Sequence, residues 1–240
     1  MQSFFKRHEK KYIITKEQGL ILHERLANKM TIDRGGEYLV KNFYYDTRNW
    51  EIIRESIEKP LYKEKLRLRF YNQYHPQSMG YLELKKKFDG VVYKRRIAFS
   101  LEEIKNRCIR EIVSGTDSQI SREINFFLHN RDVLEKVYIA YKRTAYNGIN
   151  NEESLRVSFD RDILFRLNTG DDLAVCEQEE DCLYILDDDH LVMEIKTANA
   201  IPLWLTNTLS ENKIFPVSFS KYGVCYVKHI LGRKEAADAA

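Results

Sequence analysis

Cysteine pairs, long apolar runs and net charge are what this sequence lacks, and each shortage excludes something. The four cysteines, Cys108, Cys176, Cys182 and Cys225, include no C-x-x-C pair and no metal-finger spacing, so they are expected to pack in a reducing compartment rather than to bind metal. No apolar run approaches the roughly 20 residues of a membrane-spanning helix, and no short apolar secretion segment is present. The chain is therefore expected to be cytoplasmic. Lys and Arg number 39 against 36 Asp and Glu, a formal charge of only +3, too small for a general nucleic-acid coat. Any basic character has to be local.

What remains is ample material for a core. With 240 residues, 43% hydrophobic and 31% charged, one β-rich domain is expected over residues 1–231, followed by a small polar tail at 232–240 that cannot pack. F-F-K-R-H-E-K-K-Y-I-I-T alternates as a strand, with Glu9 and Lys11 on one face. Thr15 and Gln18 then form a capping box that opens a helix to about Met30. Tyr38 to Tyr45 is aromatic and β-branched and reads as a strand, followed by a short helix around Asn49 to Glu58. Ser100 with Glu103 caps a helix over S-L-E-E-I-K-N-R-C, and a second helix is expected from Ser121 to Leu134. Strand alternation returns at K-V-Y-I-A-Y-K-R-T-A-Y, S-L-R-V-S-F-D-R-D and L-V-M-E-I-K-T, and Pro202 suits the first turn of a helix through Leu209. The acidic stretch Gly170 to Asp189 reads as a solvated excursion. About eight strands and three or four helices result.

The informative stretch is Lys63 to Phe99. Steps of two through K-E-K-L-R-L-R-F-Y put Lys65, Arg67, Arg69 and Tyr71 on one face and Leu66, Leu68 and Phe70 on the other. Y-L-E-L-K-K-K repeats the device with Tyr81, Glu83, Lys85 and Lys87 against Leu82 and Leu84, and D-G-V-V-Y-K-R-R-I-A-F repeats it with Lys94 and Arg96. Side by side, about 4.8 Å apart, these faces gather like charges that destabilise a sheet. A solvated face explains one such strand. Three in a row point to a surface that meets a multiply charged anion such as a phosphate chain, where each ion pair at about 4 Å contributes roughly 4 kcal/mol before desolvation. A tunnel formed by a closed sheet, with helices on its apolar outside, would collect the cations. Removing Arg69 or Lys85 is then expected to weaken binding of such an anion and leave the fold intact. Glu83 is read as a holder of neighbouring cations, Lys85 and Arg69. His8, His75 and His190 are read as ordinary surface or core groups, and Tyr44, Tyr45 and Asp46 as packing rather than a nucleotide-base wall.

Several motifs in order resemble a known family. They are E-x-K at Glu9 and Lys11, R-L-R at Arg67 and Arg69, E-L-K at Glu83 and Lys85, K-R-R at Lys94 to Arg96, Y-K-R-T-A-Y at Tyr141 to Tyr146, R-V-S-F-D at Arg156 to Asp160, E-I-K at Glu194 and Lys196, P-L-W-L at Pro202 to Leu205 and S-K-Y at Ser220 to Tyr222. From about Phe4 to Val227 the chain is similar to the VTC domain, the polyphosphate polymerase catalytic domain of the vacuolar transporter chaperone family, in the triphosphate tunnel metalloenzyme superfamily. The resemblance implies an α+β fold, an eight-stranded antiparallel β-barrel with helices outside, and transfer of the γ-phosphoryl group of ATP to a growing inorganic polyphosphate chain.

By the same resemblance, Lys11, Arg67, Arg69, Lys85, Lys94, Arg143, Arg156 and Lys221 match phosphate-contacting positions. All of these but Lys11 are expected to carry the chemistry by neutralising charge as phosphoryl moves. Tyr141 and Ser220 sit where further phosphate hydrogen bonds are expected, and Glu194 matches the carboxylate that holds a divalent metal, manganese first and magnesium second. Arg96, from face alternation, and Lys196, beside Glu194, join the substrate-binding set. ATP or another triphosphate and inorganic polyphosphate are the expected partners. Nucleic acid is not among them, because exposed aromatic stacking platforms are missing; a membrane partner that receives product stays open. Two alternatives remain. Hydrolytic relatives carry E-x-E-x-K where this chain has Arg7, which weakens a triphosphatase reading, and a non-enzymatic polyphosphate or inositol phosphate module would need no metal carboxylate at Glu194.

Overall fold

In a computed structural model, the described residues form eight long strands: β1 (His8–Thr15), β3 (Tyr38–Thr47), β4 (Tyr62–Tyr71), β5 (Met79–Phe88), β6 (Val91–Ser100), β7 (Val133–Gly148), β8 (Arg156–Leu167) and β10 (His190–Thr197). They pair in the order β1-β10-β8-β7-β3-β4-β5-β6. Two short strands lie off this path, β2 (Met30–Ile32) against β7 and β9 (Leu183–Tyr184) against β8. Among the described residues seven α-helices accompany them, more than the three or four helices expected: α1 (Lys16–Ala27), α2 (Glu51–Ile57), α3 (Leu101–Asn106), α4 (Ile109–Ser114), α5 (Gln119–Asn130), α6 (Leu203–Glu211) and α7 (Lys221–Cys225). The structure describes residues 8–73, 75, 77–89, 91–152, 154–168 and 182–232. Arg7, most of the acidic excursion with Cys176, and the tail from residue 233 lie outside them.

The fold is α+β with a large antiparallel sheet, the pairs β1–β10, β10–β8, β3–β4, β4–β5 and β5–β6 all being antiparallel. The expected closure is not present: among the described residues the path of paired strands is open, ending at β1 and β6. Instead of a further ladder, β1 carries an isolated bridge from Lys11 to Val217. No described helix is long and apolar enough to cross a membrane.

The chain divides into two compact units, whose described residues fall within Met1–Leu39, Tyr141–Ile163 and Tyr184–Ser220 for the first and Val40–Ala140, Leu164–Leu183 and Lys221–Ala240 for the second. In the first, Tyr12, Ile14, Val157, Phe159, Met193 and Ile195 turn the apolar faces of β1, β8 and β10 toward Leu22 and Leu26 of α1 and Leu205 and Leu209 of α6. In the second, Leu66, Leu68, Phe70, Leu82 and Leu84 back onto Ile104 of α3, Ile112 of α4 and Ile124, Phe127 and Leu128 of α5. Burying those side chains at about 25 cal/mol per Å² drives each unit together and leaves the polar strand faces on the other side.

Three boundaries differ from expectation. Helix α1 stops at Ala27 and Met30 starts β2, because Met30, Thr31 and Ile32 pair with Gly148, Asn147 and Tyr146. Helix α5 stops at Asn130, after which Arg131 is extended and Val133 opens β7. The helix expected over Ser100 to Cys108 ends at Asn106, and a further helix that was not expected, α4, follows with Cys108 as its N-cap, its N–H donating to Glu111 Oε2 at 3.2 Å. Cysteine is a poor predictor of a cap, which hid the second helix. The Thr15–Gln18 and Ser100–Glu103 capping boxes both form.

Candidate phosphate-binding site

The polar face of β4, β5 and β6 is built around one carboxylate. Glu83, only 1% exposed, accepts from Arg67 Nε at 2.8 Å and Arg96 Nε at 2.8 Å. Lys94 Nζ is 2.7 Å from Oε1, the oxygen that Arg96 also reaches, and Arg69 Nη1 is 3.9 Å from Oε2, the oxygen that Arg67 reaches. Register makes this so: Arg67 and Arg96 stand directly opposite Glu83 on the two flanking strands. Lys85 lies one step along, opposite Lys65 and Lys94. Four cations share one carboxylate, so the cluster carries an excess of positive charge even in its ligand-free form.

That imbalance shows in the titration of its members. Burial pushes the Glu83 carboxyl up, but Arg67, Arg69 and Lys94 outweigh it and hold it far below the ordinary carboxylate range. Lys94 moves down to about 8, first by desolvation and then by Arg96 and Arg67, against the pull of Glu83. A phosphate bound here would restore the ammonium, so binding takes up a proton above about pH 8. Tripolyphosphate affinity should accordingly fall by up to about tenfold per unit as pH rises above that point, a slope set by one proton. Lys94→Arg, which stays charged, should flatten the slope; calorimetric titration of both proteins between about pH 7 and 9.5 checks it.

Arg69 is placed differently from the expectation that it can be removed freely. It is 6% exposed and its Nε donates to Asn42 Oδ1 at 2.8 Å, while Asn42 Nδ2 donates to the Ile139 carbonyl at 3.1 Å. Truncating it would leave a buried amide oxygen unsatisfied, a cost of about 1–3 kcal/mol. Lys85 remains the cleaner probe of binding. Lys221 begins α7, and its neighbour Tyr222 stacks on Tyr44, whose hydroxyl accepts from Arg67 Nη1 at 3.2 Å.

The other unit holds the remaining residues. Glu194, 8% exposed, lies 2.9 Å from Lys196 Nζ and is opposite Lys11 in register, while Lys196 is opposite Glu9 and Arg156. Burial raises the Glu194 carboxyl, yet Lys196 and Lys11, a hydrogen bond with Glu9, and Arg143 hold it well below its usual range. Lys11 Nζ is 3.5 Å from Glu9 and donates to the Phe219 carbonyl at 3.1 Å, tying down the segment that leads to Ser220. Arg143 grips Asp160 through two bonds of 2.6 and 2.8 Å and stands 5.1 Å from the Tyr141 ring centroid. Arg156 is engaged by Asp33 at 2.6 Å, Asn147 at 2.7 Å and Tyr38 at 3.3 Å.

The sequence reading missed Asp160, Glu9 as a neighbour of Glu194, and the Asn42, Tyr44 and Asp46 supports. The R-V-S-F-D motif contains Asp160 and its alternation with Arg156 was a usable signal; the others depend on cross-strand register.

Comparison with known proteins adds to this geometry. A profile of the family described as the VTC domain matches residues 6–229. Among solved structures, a protein named as a candidate adenylate cyclase from Vibrio parahaemolyticus superposes with a TM-score of 0.47 at 9% identity, over 92% of this chain and 98% of that one. The PH1819 protein from Pyrococcus horikoshii OT3 superposes with a TM-score of 0.40 at 11% identity, over 86% of each chain. No protein of curated function matches the sequence.

Proposed function

The chain belongs to the VTC domain family, and on that premise we propose that it is a polyphosphate polymerase that transfers the γ-phosphoryl group of ATP to the end of an inorganic polyphosphate chain. The observation that carries the reading is the sharing of one buried carboxylate, Glu83, among Arg67, Arg69, Lys94 and Arg96. Such a surplus of cation on one strand face is self-repelling, and a polyanion laid against it would relieve that repulsion.

In this reaction a terminal oxygen of the polyphosphate attacks the γ-phosphorus, a new P–O bond forms, the bond to the β-phosphate oxygen breaks and ADP leaves. No protein nucleophile is needed. Arg forks and lysines hold the nonbridging oxygens in line and neutralise charge that grows on the leaving oxygens. In one unit Arg67, Arg69, Lys85, Lys94, Arg96 and Lys221 are the residues suited to this part; in the other, taken by itself, Lys11, Tyr141, Arg143, Arg156, Lys196 and Ser220 are the candidate phosphate contacts.

A hard divalent cation, manganese or magnesium, takes oxygen ligands. Glu194 would hold such an ion, with Glu9 beside it on the facing strand as a second oxygen donor; no group of three or more metal-ligating side chains occurs among the described residues, so a metal here would depend on phosphate oxygens as well. The chemistry such an ion supplies is neutralisation of charge on the nonbridging oxygens. Both carboxylates lie within reach of lysines, which suits charge balance better than activation of water and favours transfer over hydrolysis.

The test is to incubate the protein with ATP and Mn²⁺, and separately Mg²⁺, and to resolve polyphosphate, ADP and free phosphate. ADP with most phosphate in polymer is the expected result. Stoichiometric free phosphate would make it a triphosphatase, and binding without turnover under every metal would make it a polyphosphate or inositol phosphate receptor.

A further inference from the structure

Asp46 lies outside the phosphate-facing set, at the end of β3, and is 0% exposed. Its Oδ1 accepts from the Thr47 and Ile52 N–H groups at 2.8 and 2.9 Å. Its Oδ2 accepts from the Ile53 N–H at 3.0 Å and from the Tyr222 hydroxyl at 2.7 Å. Three backbone donors would suffice to satisfy a carboxylate that fixes the entry to α2. The fourth donor ties that carboxylate to a different part of the chain, the residue next to Lys221.

Tyr222 extends the connection. Its ring stacks on Tyr44 with centroids 4.8 Å apart and an interplanar angle of 27°. The Tyr44 hydroxyl accepts from Arg67 Nη1 at 3.2 Å, and Arg67 in turn reaches Glu83 at 2.7 Å. Lys65 Nζ stands 5.9 Å from the centroid of the Tyr222 ring. A single buried carboxylate is thus one hydrogen bond and one peptide link from Lys221, and one hydrogen bond, one stack and one further hydrogen bond from Arg67.

We propose that Asp46 is a positioning residue for phosphate recognition: through the Tyr222 hydroxyl it fixes the start of α7 and so Lys221, and through the Tyr222–Tyr44 stack it fixes the guanidinium of Arg67. This rests on the phosphate-binding reading of the site. The rigid coupling matters because a lysine side chain has many rotamers and a displaced backbone origin spreads them further, whereas in-line phosphoryl transfer tolerates little misplacement.

Tyr222→Phe removes only the hydroxyl and leaves the stack. It should raise the tripolyphosphate Kd by about fivefold, the loss of roughly one hydrogen bond's worth of ordering, and raise the KM for ATP by more than it lowers kcat. Combined with Lys221→Ala, it should weaken binding by less than the product of the two single effects, since both act at the same phosphate contact. A purely structural tyrosine would lower thermal stability and multiply independently with Lys221→Ala. Should Tyr222→Phe fail to fold, Tyr44→Phe tests the other arm, since it cuts the Arg67 bond and keeps the stack; unchanged affinity there overturns the proposal. If wild type binds tripolyphosphate and Tyr222→Phe binds it equally well, the inference falls alone. If wild type binds none, the functional reading falls and takes the inference with it.

Discussion

Glu83→Gln should unfold at lower denaturant than any single change among the cations around it, and added tripolyphosphate should restore much of the loss. The change keeps the shape of a 1% exposed side chain and removes the charge that Arg67, Arg69, Lys94 and Arg96 share. Breaking a buried ion pair by deleting one partner costs about 3–5 kcal/mol. The lower end applies here, because the Lys94 and Arg96 side chains are 44% and 36% exposed and water screens them. The pH dependence follows from the depressed carboxyl. A carboxylate held below its unfolded value contributes stability above the unfolded value and loses it as pH falls through the folded one. Wild type should therefore weaken steadily below about pH 4.5, and the variant should lack that part of the acid transition. Bound phosphate replaces the missing anion, so ligand should stabilise the variant more than wild type. Chemical denaturation at pH 7 and pH 4, with and without tripolyphosphate, reads all three effects; a variant as stable as wild type without ligand would show that Glu83 does not organise the face.

The same residue shows what sequence can and cannot carry. Most of the eight long strands were legible because their residues alternate, and a period of two is a local property; Tyr38–Thr47, buried along nearly its whole length, was legible from its aromatic and β-branched composition instead. The cation face was legible from the same alternation. The assignment of Glu83 to its partners was only half visible: Lys85 and Arg69 looked like its companions, whereas register brings Arg67 and Arg96 directly opposite. Register is fixed by the packing of Leu66, Leu68, Leu82 and Leu84 behind the sheet and not by anything in one strand. The contact of Glu9 with Glu194 is hidden likewise, since it needs Lys11 opposite Glu194. Asp46 and Tyr222 are further still from local reading, 176 residues apart in the chain. Asp46, read with Tyr44 and Tyr45 as packing, caps the entry to the next helix through Thr47, Ile52 and Ile53; that its second oxygen also holds the residue beside Lys221 is a tertiary fact. Helix ends failed where long-range pairing overrode propensity, at Met30, and where a cysteine served as cap, at Cys108.

Glu194→Gln is the substitution expected to separate binding from turnover. The side chain lies 2.9 Å from Lys196 and is flanked by Lys11, Arg143 and Glu9, so the amide keeps the volume and leaves the neighbouring cations one negative charge poorer. Those cations then attract phosphate at least as strongly as before, and ATP or tripolyphosphate affinity should hold or improve. Turnover should not. If Glu194 is the carboxylate that anchors a divalent ion, its removal takes away charge neutralisation where phosphoryl transfer depends on it, a loss on the order of a hundredfold in kcat or more. A metal titration adds the discriminating readout: the variant should need far more Mn²⁺ to reach its residual rate, whereas a carboxylate that only pairs with Lys196 would leave the Mn²⁺ requirement unchanged. Lys196→Met provides the control for that simpler role, because it breaks the 2.9 Å ion pair and spares the carboxylate. Loss of turnover in Glu194→Gln with a raised Mn²⁺ requirement, alongside a Lys196→Met protein whose metal requirement is unaltered, is the expected pair of results. Equal turnover in wild type and Glu194→Gln would remove the metal from Glu194 and leave the cation face to act without it.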